Sequence, residues 1–215
     1  ERPFISTFHA LGVHILKENA RILNIPRHFS IFDRSDSLGA IRDALKTVGL
    51  DPKQFEPGKM LSAISREKNA GVSYAAYAAR EDKEYWNSLV ARVWAEYEKN
   101  LEAEKAFDFD DLLLRALALL QNHPEVLLHY QNLWRYIHVD EYQDTNKVQY
   151  ELMKLLAARH RNICVVGDID QSIYSWRGAD FRNLLRFEED YPDATITTLE
   201  KNYRSTQTIL AAANA

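Results

Sequence analysis

Acidic residues follow an apolar run in the second half of the sequence, and their types and spacing could support phosphoryl-transfer chemistry. Asp140 and Glu141 come directly after the apolar run 136–139. One carboxylate of such a pair can bind Mg²⁺ while the other accepts a proton from an attacking water molecule. Because neighbouring residues at the end of an extended strand point in different directions, the two tasks can be separated. Taken alone, the acid pair is equally consistent with a solvated strand end.

A second polar segment follows the next apolar run, 163–166. Gly167 and Asp168 lead there into Gln171. A glutamine amide can donate a hydrogen bond to a γ-phosphate oxygen or hold the attacking water. A simple polar turn after a strand is the alternative interpretation. If the two runs are neighbouring strands, the sequence predicts one site at their carboxyl ends.

Aromatic residues stand beside arginine at two positions near these polar segments. Tyr174, Trp176 and Arg177 follow Gln171 closely, and exposed aromatic side chains stack on nucleic-acid bases with about 1–3 kcal/mol per base. Tyr203 and Arg204 come later, where the tyrosine could stack on a purine and the arginine could contact a γ-phosphate. The alternatives are that the first group fills the core and that the second is an ordinary helix start.

The elements that would position these residues alternate between strands and helices. We expect strands at 136–139, 163–166 and 194–199, with crossover helices at 147–159 and 180–189. This order predicts an α/β fold with a parallel sheet and with the candidate functional residues at the carboxyl ends of its strands.

The first half of the sequence has helical periodicity. We expect helices at 7–23, 35–48 and 56–69, and one long helix at 73–105, which contains no proline or glycine. The apolar stripe predicted along the long helix consists of Tyr85, Trp86, Leu89, Val90, Val93, Trp94, Tyr97 and Leu101. We therefore expect an all-helical insertion at 24–105, between an α/β start at 1–23 and an α/β remainder at 106–215.

The composition is that of a soluble globular protein without a global positive field. The 215 residues carry a formal net charge of -4, and hydrophobic residues make up 46%. Any nucleic-acid binding would therefore depend on a local basic patch and on stacking. No apolar run approaches the roughly 18 residues needed to cross a bilayer, and the cytoplasm is the expected location. The single cysteine, Cys164, is expected to be buried and unreactive.

The amino-acid sequences of these segments resemble motifs of the UvrD/Rep/PcrA group of superfamily 1 DNA helicases. Residues 139–146 (VDEYQDTN), 166–180 (VGDIDQSIYSWRGAD) and 199–205 (LEKNYRS) resemble motifs II, III and IV of that group. Residues 5–10 (ISTFHA) resemble the DNA-contacting motif Ib, and residues 107–112 (FDFDDL) resemble the acidic motif that leads back from the helical insertion. The resemblance implies a partial RecA-like parallel sheet interrupted by an all-helical subdomain.

The resemblance also implies a role for each residue of a nucleotide site that uses ATP and Mg²⁺. Asp140 would hold the metal, and Glu141 would activate water. Gln171 would contact the γ-phosphate. Tyr203 would stack on adenine, and Arg204 would contact the γ-phosphate.

Single-stranded DNA and junctions of single- and double-stranded DNA are the partners that the resemblance implies. Gln143 would link the phosphate state to DNA. Basic residues of the helical insertion, such as Lys59, Arg66 and Lys68, could contact duplex DNA. The residues expected to face single-stranded DNA are Thr7, Phe8, His9, Tyr174, Trp176 and Arg177.

The implied activity is ATP-dependent movement on DNA and unwinding, in the 3′-to-5′ direction, in repair or replication. The phosphate-cradling run GxxxxGK[ST] of the family is absent from this sequence. We therefore expect the chain to be the middle of a longer motor and to be inactive by itself, because it needs other parts of the same polypeptide. The alternatives are a helicase–nuclease subunit of the same superfamily and a non-catalytic DNA-binding module.

Overall fold

The computed structural model describes residues 3–80, 84–174 and 179–213. The chain divides into two compact units, Glu1–Leu184 and Leu185–Ala215, and each is described by itself. Trp176 and Arg177 lie outside the described residues. The helices are α1 (Phe8–Glu18), α2 (Arg34–Thr47), α3 (Pro57–Asn69), α4 (Tyr74–Ala78), α5 (Tyr85–Ala103), α6 (Phe109–Asn122), α7 (Pro124–Leu133), α8 (Lys147–Ala157), α9 (Arg182–Asp190) and α10 (Gln207–Ala213).

Two short parallel sheets lie in the described part of the first unit. Strand β3 (Ile137–Val139) pairs with β4 (Ile163–Val165), with His138 opposite Cys164, which confirms two of the expected strands. Strand β1 (Ser30–Phe32) pairs with β2 (Ala106–Asp108). These two strands were not predicted, and β1 lies inside the range expected to be all-helical. Each is three residues long, too short to give a clear alternation of apolar and polar residues.

The helix starts follow their capping residues. The Asp33 side chain accepts hydrogen bonds from the first turn of α2 and forms a reciprocal capping box with Asp36. Asn146 forms the same arrangement with Gln149 at the start of α8. These caps satisfy amide groups that have no partner inside the helix. Helices α2 and α8 accordingly begin within one residue of the starts expected at 35 and 147.

The long helix expected at 73–105 is interrupted, because residues 79, 80 and 84 are not helical, and that prediction was wrong. Tyr77 of α4 packs its ring against Trp94 of α5, with ring centroids 5.3 Å apart. Two positions 17 residues apart on one straight helix would be about 25 Å apart, at 1.5 Å per residue. Burial of these rings against each other therefore favours a break between them. The break leaves Tyr85 and Trp86 exposed, whereas the rest of the predicted stripe is buried.

The apolar core has a part within the helices α2 to α5 and a part around α1, α6, α7 and α8. The first is centred on Ile41, Met60, Ile64, Trp94 and Tyr97. The second contains Ile15, Leu16, Leu112, Tyr130 and Leu152. The block of helices from α2 to α5 therefore has a hydrophobic core of its own, and in the rest of the text we refer to these helices as the helical block.

Helix α1 crosses α6 very closely at Gly12. A Cβ atom at position 12 would lie 2.5 Å from the backbone carbonyl oxygen of Leu112, closer than such atoms approach in proteins. The absence of a side chain at Gly12 is therefore what permits this crossing.

Two further expectations were wrong. Residues 194–199 form no strand: Ile196 and Leu199 are exposed, and no neighbouring strand pairs with this run within the described ranges. An isolated strand leaves its backbone hydrogen-bonding groups unpaired, so β propensity alone does not form one. Cys164 is exposed, because it lies on the outward face of the two-stranded β3–β4 sheet.

Among the described residues, no helix combines the length and apolar character that crossing a membrane requires.

Candidate nucleotide and DNA site

The acid pair lies on a strained turn at the carboxyl end of β3. Glu141 has a backbone φ of 52°, in the left-handed region, and its amide donates a 2.9 Å hydrogen bond to Asp140 Oδ1. A non-glycine residue in a sparsely populated backbone region costs about 1–3 kcal/mol and persists only when its surroundings hold it there. The following amide, of Tyr142, donates to the carbonyl of Val166 at 2.9 Å and thereby fixes the turn to the end of β4. The bond from Tyr142 therefore helps to hold Glu141 in its left-handed backbone conformation.

Gln143 joins the acid pair to the polar segment after β4. Its Nε2 donates to Glu141 Oε2 at 2.7 Å, and its Oε1 accepts from the backbone amide of Asp168 at 3.1 Å. Asp168 Oδ2 in turn accepts from Gln171 Nε2 at 2.7 Å. Gln143 is fully buried, so its amide is held by these two contacts rather than by water. A continuous hydrogen-bonded chain therefore runs from Glu141 to Gln171, and we call it the acid–glutamine relay.

Gly167 is the residue that leaves room for the relay. A Cβ atom at this position would lie 3.0 Å from Gln143 Oε1 and 3.4 Å from Gln143 N. We expect Gly167→Ala to push the Gln143 amide away from Asp168 and to lower the free energy of unfolding by about 1–3 kcal/mol, as overpacking does. Chemical denaturation measures this change.

The matched control for that substitution is Gly39→Ala. A Cβ at Gly39, in the interior of α2, meets nothing within 4 Å. Alanine there should stabilise the protein by about 0.5–1 kcal/mol, because glycine is a poor helix former. Equal effects of the two substitutions would contradict the close fit at Gly167.

The exposed carboxylate of Asp140 fits a magnesium ligand. Mg²⁺ prefers oxygen ligands and is usually held by one or two carboxylates together with phosphate oxygens and water. No group of three or more His, Cys, Asp or Glu side chains with metal-binding spacing occurs in the described part of the chain. A single carboxylate that shares the ion with a nucleotide is compatible with this arrangement.

Asp144 is a nearby acid that sequence reasoning did not single out. Its Oδ1 is buried and has no hydrogen-bond partner, and burial, together with the negative charge of Glu141, raises the pKa of its carboxyl group. The sequence offered a signal, since Asp144 lies three residues after Glu141 in a turn.

The segment predicted to contact DNA near the N-terminus begins α1. The Thr7 side chain caps this helix by accepting from the Ala10 amide at 3.2 Å. Phe8 packs against the apolar core. The His9 ring meets the ring of Phe109 edge-on, with centroids 5.4 Å apart, and burial lowers the pKa of His9. Phe109 is half exposed and was not predicted as a site residue, although it lies within the acidic motif at 107–112.

The remaining predicted site residues are Tyr174 in the first unit, Tyr203 and Arg204 in the second unit, and Trp176 and Arg177, which are outside the described residues. Tyr174 is partly exposed and follows the relay by three residues. Tyr203 and Arg204 belong to the second unit, where Tyr203 is 85% exposed and carries Lys201 Nζ 5.0 Å from its ring centre. The Asn202 side chain accepts from the Arg204 amide at 2.9 Å and shapes this turn before α10.

The expectation that Lys68 lies on a DNA-facing surface was wrong. Its side chain is 1% exposed and is surrounded by carboxylates. Lys59 and Arg66 are exposed, and Lys59 pairs with Glu56. The helical periodicity of this segment does not show which distant acidic residues will surround Lys68.

The fold and the site define an α/β domain with an acid pair and a glutamine at the ends of parallel strands. Residues 1–192 match the family model described as the UvrD/REP helicase N-terminal domain. The chain is 51% identical to the ATP-dependent DNA helicase PcrA of Staphylococcus aureus strain Mu50 and 49% identical to that of Staphylococcus epidermidis strain ATCC 12228 / FDA PCI 1200. Each match covers 98% of this chain and 29% of the relative. The chain belongs to the UvrD/Rep helicase family.

Proposed function

We propose that this chain forms part of the first motor domain of an ATP-dependent DNA helicase. The observation that carries the proposal is the acid–glutamine relay, because it connects a candidate water-activating acid to a candidate phosphate sensor. The similarity to PcrA helicases over 98% of the chain supports it. Since the sequence has no GxxxxGK[ST] run, we propose that turnover requires residues from elsewhere in the whole protein.

In this proposal each predicted residue of the nucleotide site has its own task. Asp140 would hold Mg²⁺, which would supply positive charge against the phosphates when bound together with ATP. Glu141 accepts a proton from the attacking water. Gln171 donates to the γ-phosphate, and Tyr203 and Arg204 contact the adenine and the γ-phosphate.

The relay gives the site a way to respond to loss of phosphate. Gln171 Nε2 now donates to Asp168, and a γ-phosphate oxygen would compete for the same amide. A change at Asp168 shifts the acceptor contact of Gln143 and therefore the position of the Glu141 carboxylate. Movement of Gln171 would also shift Tyr174, which follows it by three residues in the chain.

Steady-state ATP turnover of the full-length protein tests the proposed function. We expect single-stranded DNA to stimulate turnover. Turnover that is absent, or equal with and without DNA, would count against a DNA-dependent motor.

We propose that single-stranded DNA and its junctions with duplex contact Thr7, His9, Tyr174, Trp176 and Arg177, and that Phe8 supports this surface from the core side. The partial exposure of the Phe109 ring beside His9 adds a further stacking surface. Movement would be 3′-to-5′, within the cytoplasm, in repair or replication.

Replacement of Tyr174 tests the DNA surface. We expect Tyr174→Ala to weaken single-stranded DNA binding by about 1–3 kcal/mol, the usual contribution of one stacked base. Fluorescence anisotropy with a labelled oligonucleotide at fixed salt measures the affinity. Tyr136→Ala is the control, because Tyr136 is also an exposed tyrosine but precedes β3. Equal effects of the two substitutions would show that Tyr174 has no specific part in DNA binding.

A further inference from the structure

The last two residues of α3 connect the helical block to the rest of the first unit. Lys68 Nζ lies 2.8 Å from Asp111 Oδ1, 2.9 Å from Asp108 Oδ2 and 3.1 Å from Glu98 Oε1. Glu98 is on α5, whereas the two aspartates belong to β2 and the start of α6. One ammonium group therefore ties α3 and α5 of the helical block to the segment that follows it.

The ammonium group of Lys68 keeps its positive charge although the side chain is buried. Burial alone would lower the pKa of Lys68, but the carboxylates of Asp111, Asp108 and Glu98 outweigh it and hold the pKa well above its ordinary value. The Tyr97 hydroxyl also donates to Asp108 Oδ2 at 3.0 Å. This cluster fixes the end of α3, which sets the position of the next residue, Asn69.

Asn69 uses both ends of its amide to bridge three segments. Its Nδ2 donates to the Ser65 carbonyl at 2.8 Å within α3 and to Asp110 Oδ1 at 2.8 Å on α6. Its Oδ1 accepts from Asn146 Nδ2. Asn146 is 77 residues further along the chain, so this contact is made by the tertiary fold and not by the helix.

Asn146 follows the turn that carries the acid pair, five residues after Glu141 in the chain. It caps α8 through its Oδ1, which accepts from the Gln149 amide at 2.9 Å. The preceding residue, Thr145, donates from its hydroxyl to the Tyr142 carbonyl at 2.7 Å, inside the turn after Glu141. A displacement of Asn146 is therefore passed to Glu141 through one short and internally bonded segment.

We propose that Asn69 is a positioning residue through which the helical block sets the geometry of the acid-pair turn. This inference rests on the proposed function, because the quantity that Asn69 would control is ATP turnover. If the helical block moves when it meets DNA, the Asn69–Asn146 contact is the direct hydrogen bond by which α3 acts on the segment behind Glu141. The block would then tune hydrolysis without contributing an atom to the site.

The test uses the full-length protein with Asn69→Ala, Asn146→Ser and the double variant. Serine keeps a helix-capping oxygen at position 146 but lacks the longer side chain and the amide group that donates to Asn69 Oδ1. The control is Asn122→Ala, since Asn122 makes the same side-chain bond to the carbonyl four residues earlier, at 2.8 Å, on the exposed end of α6. The readouts are kcat and KM for ATP with saturating single-stranded DNA, and hydrogen exchange of residues 140–146.

We expect each single variant to lower kcat about tenfold, within the range typical of coupling between sites, with KM for ATP unchanged and faster exchange at 140–146. The double variant should fall no further than the single ones, because all three remove the same bond. Additive losses, or a kcat equal to that of Asn122→Ala, would overturn the proposal. If the wild-type protein and the Asn122→Ala control show no turnover, the proposed function itself fails and the inference fails with it.

Discussion

A full-length protein with Glu141→Gln is expected to bind ATP as the wild type does and to lose turnover by about 10²–10⁴-fold, the usual contribution of a general base. Glutamine has nearly the shape of glutamate, and its oxygen can still accept the hydrogen bond that Gln143 Nε2 gives to Glu141 Oε2. Neither residue is branched at Cβ, so the left-handed backbone of the turn should be retained. The loss would therefore report the missing proton acceptor rather than a collapsed site.

Single-turnover hydrolysis and equilibrium nucleotide binding separate these two effects. Glu102→Gln is the control, because Glu102 is exposed near the end of α5. Its turnover should stay within about twofold of wild type, as for most surface substitutions. Wild-type-like hydrolysis by Glu141→Gln would refute the role of Glu141, whereas loss of ATP binding would point to a damaged turn.

Substitution of Lys68 is expected to have the largest effect on stability. Lys68→Met leaves the carboxylates of Asp108, Asp111 and Glu98 close together without the ammonium group between them. Removing one partner of a buried ion pair typically costs about 3–5 kcal/mol. We expect a decrease of this size in the free energy of unfolding, measured by urea denaturation at pH 7.

The matched control is Lys59→Met on the same helix. Lys59 pairs with Glu56 at 2.9 Å, but both side chains are largely exposed, and exposed pairs contribute about 0–1 kcal/mol. A loss at Lys68 no larger than the loss at Lys59 would show that the buried acids are neutral or rearrange at little cost.

The strand pair β3–β4 and its polar ends could be predicted because the signals are local. Each strand is a short apolar run, and the polar residues that follow it in sequence also follow it in space. The link between the two ends could not be predicted, since Gln143 reaches Asp168 across 25 residues. A sequence gives the residues of a site more readily than the bonds among them.

The helical block shows the opposite case. The apolar periodicity of α5 was correct, but the break before it depends on the packing of Tyr77 against Trp94. The location of Lys68 was predicted wrongly for a similar reason, because its partners Asp108 and Asp111 lie 40 and 43 residues away in the chain. Local periodicity shows that a side chain is polar, whereas its burial is decided by distant partners.

The close crossing at Gly12 has a mechanical consequence. Where backbone meets backbone without a layer of side chains, there is little that can shear or change rotamer, and close-packed interiors transmit strain. Helices α1 and α6 should therefore respond to force as one stiff body. If Thr7 contacts DNA as proposed, a force applied there would be transmitted to Asp108, the residue that caps α6, with little deformation between the two helices. A larger residue at position 12 would make this connection more compliant.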